Sequence, residues 1–249
     1  MTRYKITVEY DGSLFFGWQR QKGLDTVQQR LEEAILPLTK VSTTIYGAGR
    51  TDAGVHALAQ VAHFDTENDI DCFRIQECMN AYLRKVPIAV LAVEKVSRLF
   101  DARFSALERF YIYKILNRRM KACIDTLRVW NVTPYIDDRK MNTAAQCLVG
   151  KHDFSSFRAA GCQSNSPIKT LNMISIERLE DIITVRTSAR SFLYHQVRNM
   201  VGSLVFVGCG KWSEQDFYKV FQAKDRQKAA ATAPAHGLYF THVIYPRDF

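Results

Sequence analysis

The stretch Tyr4 to Gly12, YKITVEYDG, opens the fold: Tyr4, Ile6, Val8 and Tyr10 alternate with Lys5, Thr7 and Glu9 before an Asp-Gly turn. That period of two marks a strand with one buried face. Downstream the period changes. Val27, Leu31, Ala34, Ile35 and Leu38 recur at helical spacing, with Thr26 and Gln29 spaced as a capping box and Pro37 placed to end or kink the helix. Thr43 to Tyr46 and Gln60 to Phe64 read as strands on either side of a glycine-rich loop. Asp71 to Leu83 reads as a second helix and Ile88 to Val96 as another strand. The order is β-α-β-β-α-β.

A similar pattern follows in the second half. Arg109 to Leu116 alternates as a strand, Asp138 to Val149 is helical, and Met173 to Arg178 with Ile182 to Arg186 forms a hairpin turning near Glu180 and Asp181. Tyr194 to Val207 carries an apolar helical stripe (Val197, Met200, Val201, Leu204, Val205), and Gly237 to Tyr245 closes the chain as a strand. The expected class is α+β: two related ferredoxin-like halves forming a mainly antiparallel central sheet with a catalytic cleft between them. Residues 1–104 form the expected N-terminal domain and 105–249 the C-terminal one. No long Pro, Gly or Ser linker separates them.

Composition narrows the class of partner. The 249 residues are 47% hydrophobic and 24% charged, ordinary for a globular protein that buries a core. The chain enters its first strand without a cleavable apolar segment, and its longest apolar stretch, Met200 to Cys209, is too short to span a bilayer, so a cytoplasmic, membrane-free protein is expected. Six scattered cysteines with no Cys-x-x-Cys pair signal neither disulfides nor zinc. The formal charge is +9, and Arg98 to Arg128 holds eight basic residues against three acidic ones. Aromatic side chains within that segment favour a nucleic acid over a membrane as the polyanionic partner.

The loop Gly47 to Ala57, GAGRTDAGVHA, carries the chemistry. Gly49 and Gly54 have P-loop spacing, but Val55 and His56 stand where that motif needs Lys and Ser or Thr. A dinucleotide fingerprint fails because its third glycine position holds Asp52, whose charge repels a pyrophosphate. What remains is a carboxylate, Asp52, two residues after Arg50. An Asp in such a turn caps neighbouring amides in the structural reading. In the functional reading Arg50 keeps it ionised, or fills the gap left by a base swung out of a helix, and the carboxylate attacks a sugar or base carbon.

Other residues carry paired readings as well. Tyr111 and Tyr113 share one face of their strand with Arg109 beside them, either as a stacking platform for unpaired bases or as core. Arg198 flanks the apolar stripe of its helix, either snorkelling to solvent or pairing with a buried carboxylate. His195 and Asn199 border the same helix and are candidates for RNA contact; His56 and His63 read as structural.

These motifs resemble the TruA-family tRNA pseudouridine synthases nearly end to end, through EYDGSLFFGWQRQ (Glu9 to Gln21), GAGRTDAGVHA, ARFSALERFYIY (Ala102 to Tyr113), DFSSFR (Asp153 to Arg158), FLYHQVRNMVGSL (Phe192 to Leu204) and GLYF (Gly237 to Phe240). The resemblance implies Asp52 as nucleophile, Tyr111 stacked on the target uridine, Arg50 in place of the flipped base, and Arg198 as salt-bridge partner of Asp52. It further implies a homodimer that grips tRNA and isomerises uridines 38 to 40 of the anticodon arm without metal or organic cofactor. Arg109-Phe110 departs from the consecutive basic residues often found before the tyrosine, which bears on a local backbone contact. Two other classes are weighed: a non-catalytic RNA-binding module of tandem ferredoxin-like units, which leaves Arg50 and Asp52 unexplained, and a zinc base deaminase, whose ligand motif is absent.

Overall fold

A computed structural model describes residues 1–246. It is a mixed α+β protein whose strand pairs are mostly antiparallel. Its contacts fall into two compact units, one comprising Met1–Arg109 with the chain from Tyr239 onward, the other Phe110–Leu238. The sequence places the division near Phe104. By contacts the first unit runs five residues further and reclaims the closing strand, a pairing between distant segments that no local pattern encodes.

In the first unit, β1 (Thr2–Tyr10) lies between β4 (Ile88–Val96) and β3 (His56–Thr66), antiparallel to both, while β10 (Leu238–Ile244) runs parallel to β3. Tyr4, Ile6, Val8 and Tyr10 are all buried, as their alternation requires. Helix α1 (Val27–Thr39) buries Val27, Leu31, Ala34 and Ile35, and α2 (Cys72–Leu83) starts at Asp71, whose carboxylate accepts from the Arg74 amide.

Two local expectations fail here, for related reasons. Thr26 is the N-cap of α1, but its side chain makes no capping bond and the Gln29 amide turns to Glu33 instead. The first amides of α1 are satisfied from outside the helix: Val27 N donates to Gly17 O and Gln28 N to Trp18 O. Thr43 to Ile45 is not a strand, and only Tyr46–Gly47 (β2) pairs with β3. The main chain of Ile45 bonds instead to side chains of α1, its N–H donating to Glu32 and its carbonyl accepting from Gln28. Pro37 sits in the last turn of α1, which ends two residues later at Thr39 and is capped by Lys40 in the left-handed region.

The second unit orders its strands β5 (Glu108–Leu116), β9 (Ile182–Ala189), β8 (Ile168–Leu179) and β7 (Gly150–Asp153), with β6 (Trp130–Asn131) alongside β5. Helix α3 (Asp138–Ala145) is shorter than its periodicity suggests, because Gln146 to Leu148 tightens into a 3-10 turn. Helix α4 (Gln196–Gly208) buries Val197, Met200, Val201, Leu204 and Val205. Sequence reading missed α5 (Glu214–Gln222), which has a complete capping box from Ser213 and Asp216.

A strap formed by residues 226–237 is bound to α4 through polar contacts. Arg226 donates to the carbonyls of Ala229 and Ala230, to Asn199 Oδ1 and to Thr232 Oγ1, and burial lowers its basicity. Gly202 makes room for the strap, since a Cβ there would strike the Ala231 carbonyl.

Candidate active site

The glycine-rich loop is anchored along its length within the first unit. Ala48 N donates to Val61 O at 2.7 Å, and Gln60 Nε2 donates to Gly49 O at 2.9 Å. Thr51 is fixed twice, its carbonyl accepting from Trp18 N at 3.0 Å and its hydroxyl lying 2.7 Å from the Tyr10 hydroxyl. Burial of Tyr10 pushes its phenol up to about 12, so that hydroxyl keeps its proton. Val55 N then donates to Asp52 O at 3.1 Å, closing a turn with Gly54 at φ +80°. The turn is thus closed by the main chain of Asp52. At its end, His56 Nδ1 accepts from Gly12 N at 3.1 Å and its ring stacks on Tyr239 at 4.6 Å, the structural role expected of it.

Glycine is required where the Asp11–Trp18 segment passes behind the loop. Gly17 has φ +86°, and a Cβ on it would come within 2.6 Å of the Thr51 carbonyl. The motif EYDGSLFFGWQRQ is therefore the loop's support as well as a strand end. Between the fixed points Arg50 is exposed and Asp52 half-buried.

The other candidates lie in the second unit. Tyr111 is 9% exposed, with its ring edge-on to Phe192 at a centroid distance of 5.1 Å. Tyr113, two residues on, is wholly buried; its hydroxyl donates to Pro234 O at 2.8 Å, and burial raises its phenol far above the ordinary value. The shared face is buried at both positions, completely at Tyr113 and with a 9% remnant of exposure at Tyr111. Arg198 is half-buried on α4, its Nε donating to Ala233 O at 2.9 Å while Ala233 N donates back to Arg198 O. His195 caps α4 in the left-handed region at φ +59°.

Two sequence readings are corrected. Asn199 is fully buried and its amide is committed to Phe157 O, Arg226 and Thr232, which makes it an internal strut rather than an RNA contact. Arg109 belongs by sequence to the basic segment expected to dock a polyanion, yet it is buried and its guanidinium donates to Ala48 O at 2.8 Å and Arg103 O at 2.6 Å. It supports the glycine loop. Arg109→Met is accordingly expected to lower stability by about 2–4 kcal/mol, since buried carbonyls lose their donors. A denaturant titration checks this, and an unchanged stability with weaker RNA binding would reverse the assignment.

A family model described as tRNA pseudouridine synthase matches residues 6–105 and 144–246. The chain belongs to the tRNA pseudouridine synthase family. It is 51% identical to tRNA pseudouridine synthase A of Beijerinckia indica over 248 residues, covering 100% of this chain and 95% of that one. Identity to the Maricaulis maris tRNA pseudouridine synthase A is 49% (99% of each chain), and to that of Rhodospirillum centenum 51% (98% of this chain, 100% of that one). The synthase is therefore an isomerase acting on tRNA. Among its described residues no helix is long and apolar enough to cross a membrane, and no group of three or more His, Cys, Asp or Glu side chains is placed to hold a metal ion.

Sequence reading found the loop but missed Tyr10, Gln60 and Phe192, which hold it or face Tyr111. Tyr10 belongs to the buried face of β1 by periodicity, so its sequence signal was one of packing.

Proposed function

We propose that the synthase isomerises uridines 38 to 40 in the anticodon stem-loop of tRNA, as a cytoplasmic homodimer without metal or organic cofactor. Asp52 supplies the nucleophilic carboxylate and Arg198 its counter-charge. Tyr111 stacks on the target uracil, and Arg50 takes the place that the uracil leaves. The observation that carries this reading is the Arg50-Thr51-Asp52 triplet on a loop anchored at Ala48, Gly49, Thr51 and Val55. A non-catalytic binding module has no use for an acid on a loop whose main chain is held so firmly, because a fixed negative charge near a polyanion weakens affinity.

The reaction conserves every atom of the nucleoside. The C1′–N1 bond breaks, the uracil turns, a C1′–C5 bond forms, the C5 proton leaves to water and N1 gains a proton. Taking the base out of its stack costs a few kcal/mol, offset by stacking on Tyr111 and by phosphate contacts elsewhere. An anchored loop places the carboxylate without a further ordering cost at the moment of reaction.

Tritium at C5 of uridine tests the chemistry. With tRNA labelled in this way, one tritium is expected in water per pseudouridine formed, and transcripts with cytidine at positions 38 to 40 are expected to release none. Release that persists in those transcripts would move the target elsewhere in the tRNA, and its absence from uridine-bearing tRNA would reject the chemistry.

A further inference from the structure

The basic stretch from Arg98 to Arg128 divides into parts with different surroundings. Arg109 is buried and Lys114 half-buried on β5, whereas Arg118, Arg119, Lys121 and Arg128 are all exposed on the connection from β5 to β6, residues 117–129. With Asp125 as its one acid, that connection carries a net +3. It also turns apolar side chains outward: Ile124 is 92% exposed, Met120 65% and Leu127 51%. Water alone gives no stabilisation to such a tip.

The connection is a folded knuckle with its own bonds. Arg118 Nε donates to Met120 O, Thr126 Oγ1 to the carbonyls of Ala122 and Cys123, and Arg128 N to Asp125 O. Its root is fastened by Asn131, which donates to Leu116 O and Arg118 O, and by Asn117, which donates from its side chain to Val132 O and Pro134 O. Arg118 lies 3.5 Å from Asp181, leaving Arg119 and Lys121 as the outward cations nearest the tip.

We propose that residues 117–129 form an arm that docks on the backbone of the substrate tRNA, away from the uridine being isomerised. Arg119 and Lys121 meet phosphates, and Ile124 rests on the sugar faces that the wide, shallow minor groove of an RNA helix presents. Charge decides the partner. A second copy of the arm brings the same sign and is repelled, whereas RNA is complementary to it. Geometry decides its contribution: from Tyr111 to Leu116 the strand advances about 17 Å at about 3.4 Å per residue, so the arm meets nucleotides beyond the reacting one. It therefore acts on binding and leaves the chemical step alone. This inference rests on the proposed tRNA-modifying reaction.

The double variant Arg119→Glu/Lys121→Glu tests it, with Ile124→Ser beside it. For the charge variant KM for tRNA is expected to rise at least about tenfold with kcat within about twofold, and the slope of log affinity against log salt to shrink by about 1.4–1.8 for two lost phosphate contacts. Ile124→Ser is expected to raise KM with the salt slope unchanged. Arg119→Lys/Lys121→Arg keeps both charges and is expected to keep the slope. Unchanged KM and slope in the charge variant overturn the proposal, as does a fall in kcat alone. Filter binding reads the arm independently of tritium release, so wild-type protein that binds tRNA and releases nothing rejects the proposed chemistry while the arm is still judged by its salt slope.

Discussion

Asp52→Asn is expected to abolish tritium release while leaving tRNA affinity within about twofold of wild type. The substitution preserves shape and removes only the negative charge, and the turn around it is closed by the main-chain carbonyl, which asparagine also has. The loop should therefore stay as it is, held by Ala48, Gly49 and Thr51. An amide is a poor nucleophile, so a reaction that depends on the carboxylate loses its covalent route. Affinity is a separate quantity, dominated by phosphate contacts that Asp52 does not make. Turnover and filter binding on one preparation, with a thermal melt to show that the fold is intact, decide the matter. A variant keeping more than a few per cent of wild-type turnover would remove Asp52 from the nucleophile's role.

The second large effect is expected from the two tyrosines of β5, which share a face and differ in duty. Tyr111→Ala should lose most turnover with only modest weakening of tRNA binding, because a stacked base contributes roughly 1–3 kcal/mol and the phosphates supply the rest. Tyr113→Phe should do the reverse. It leaves the Pro234 carbonyl without its donor inside the core and is expected to cost about 1–3 kcal/mol of stability, with kcat retained in the folded fraction. Turnover at saturating tRNA, paired with a urea titration, separates the two. If both variants moved the same quantity, the division of duties between the two rings of this strand would be wrong.

The fold was legible where periodicity is strong. β1, α2, β4, the β8–β9 hairpin and α4 all follow from spacing of apolar residues. What spacing could not supply were features made by distant partners. The two residues of β2 and the two of β6 are strands only because β3 and β5 lie beside them, and the start of α1 is capped by carbonyls of Gly17 and Trp18. Helix α5 escaped notice because its capping box uses Asp216 in place of Glu or Gln and its apolar stripe is short.

The site follows the same rule. Glycines and the Arg-x-Asp triplet announce the loop, whereas Tyr10, Gln60 and Arg109 hold it from elsewhere in the chain. Arg109 carried a usable signal: it falls in phase with Tyr111 and Tyr113, and that face of β5 is buried.

The assignment of the last strand to the first unit orders the birth of the molecule on the ribosome. Residues 110–238 are one uninterrupted run of 129 and can close as soon as they emerge, whereas the unit bearing Asp52 waits for Tyr239 and its successors. At about 5–20 residues per second that wait lasts roughly 6–26 s, during which β3 has an open edge toward its missing neighbour. The glycine-rich loop, though translated early, thus belongs to a unit completed last.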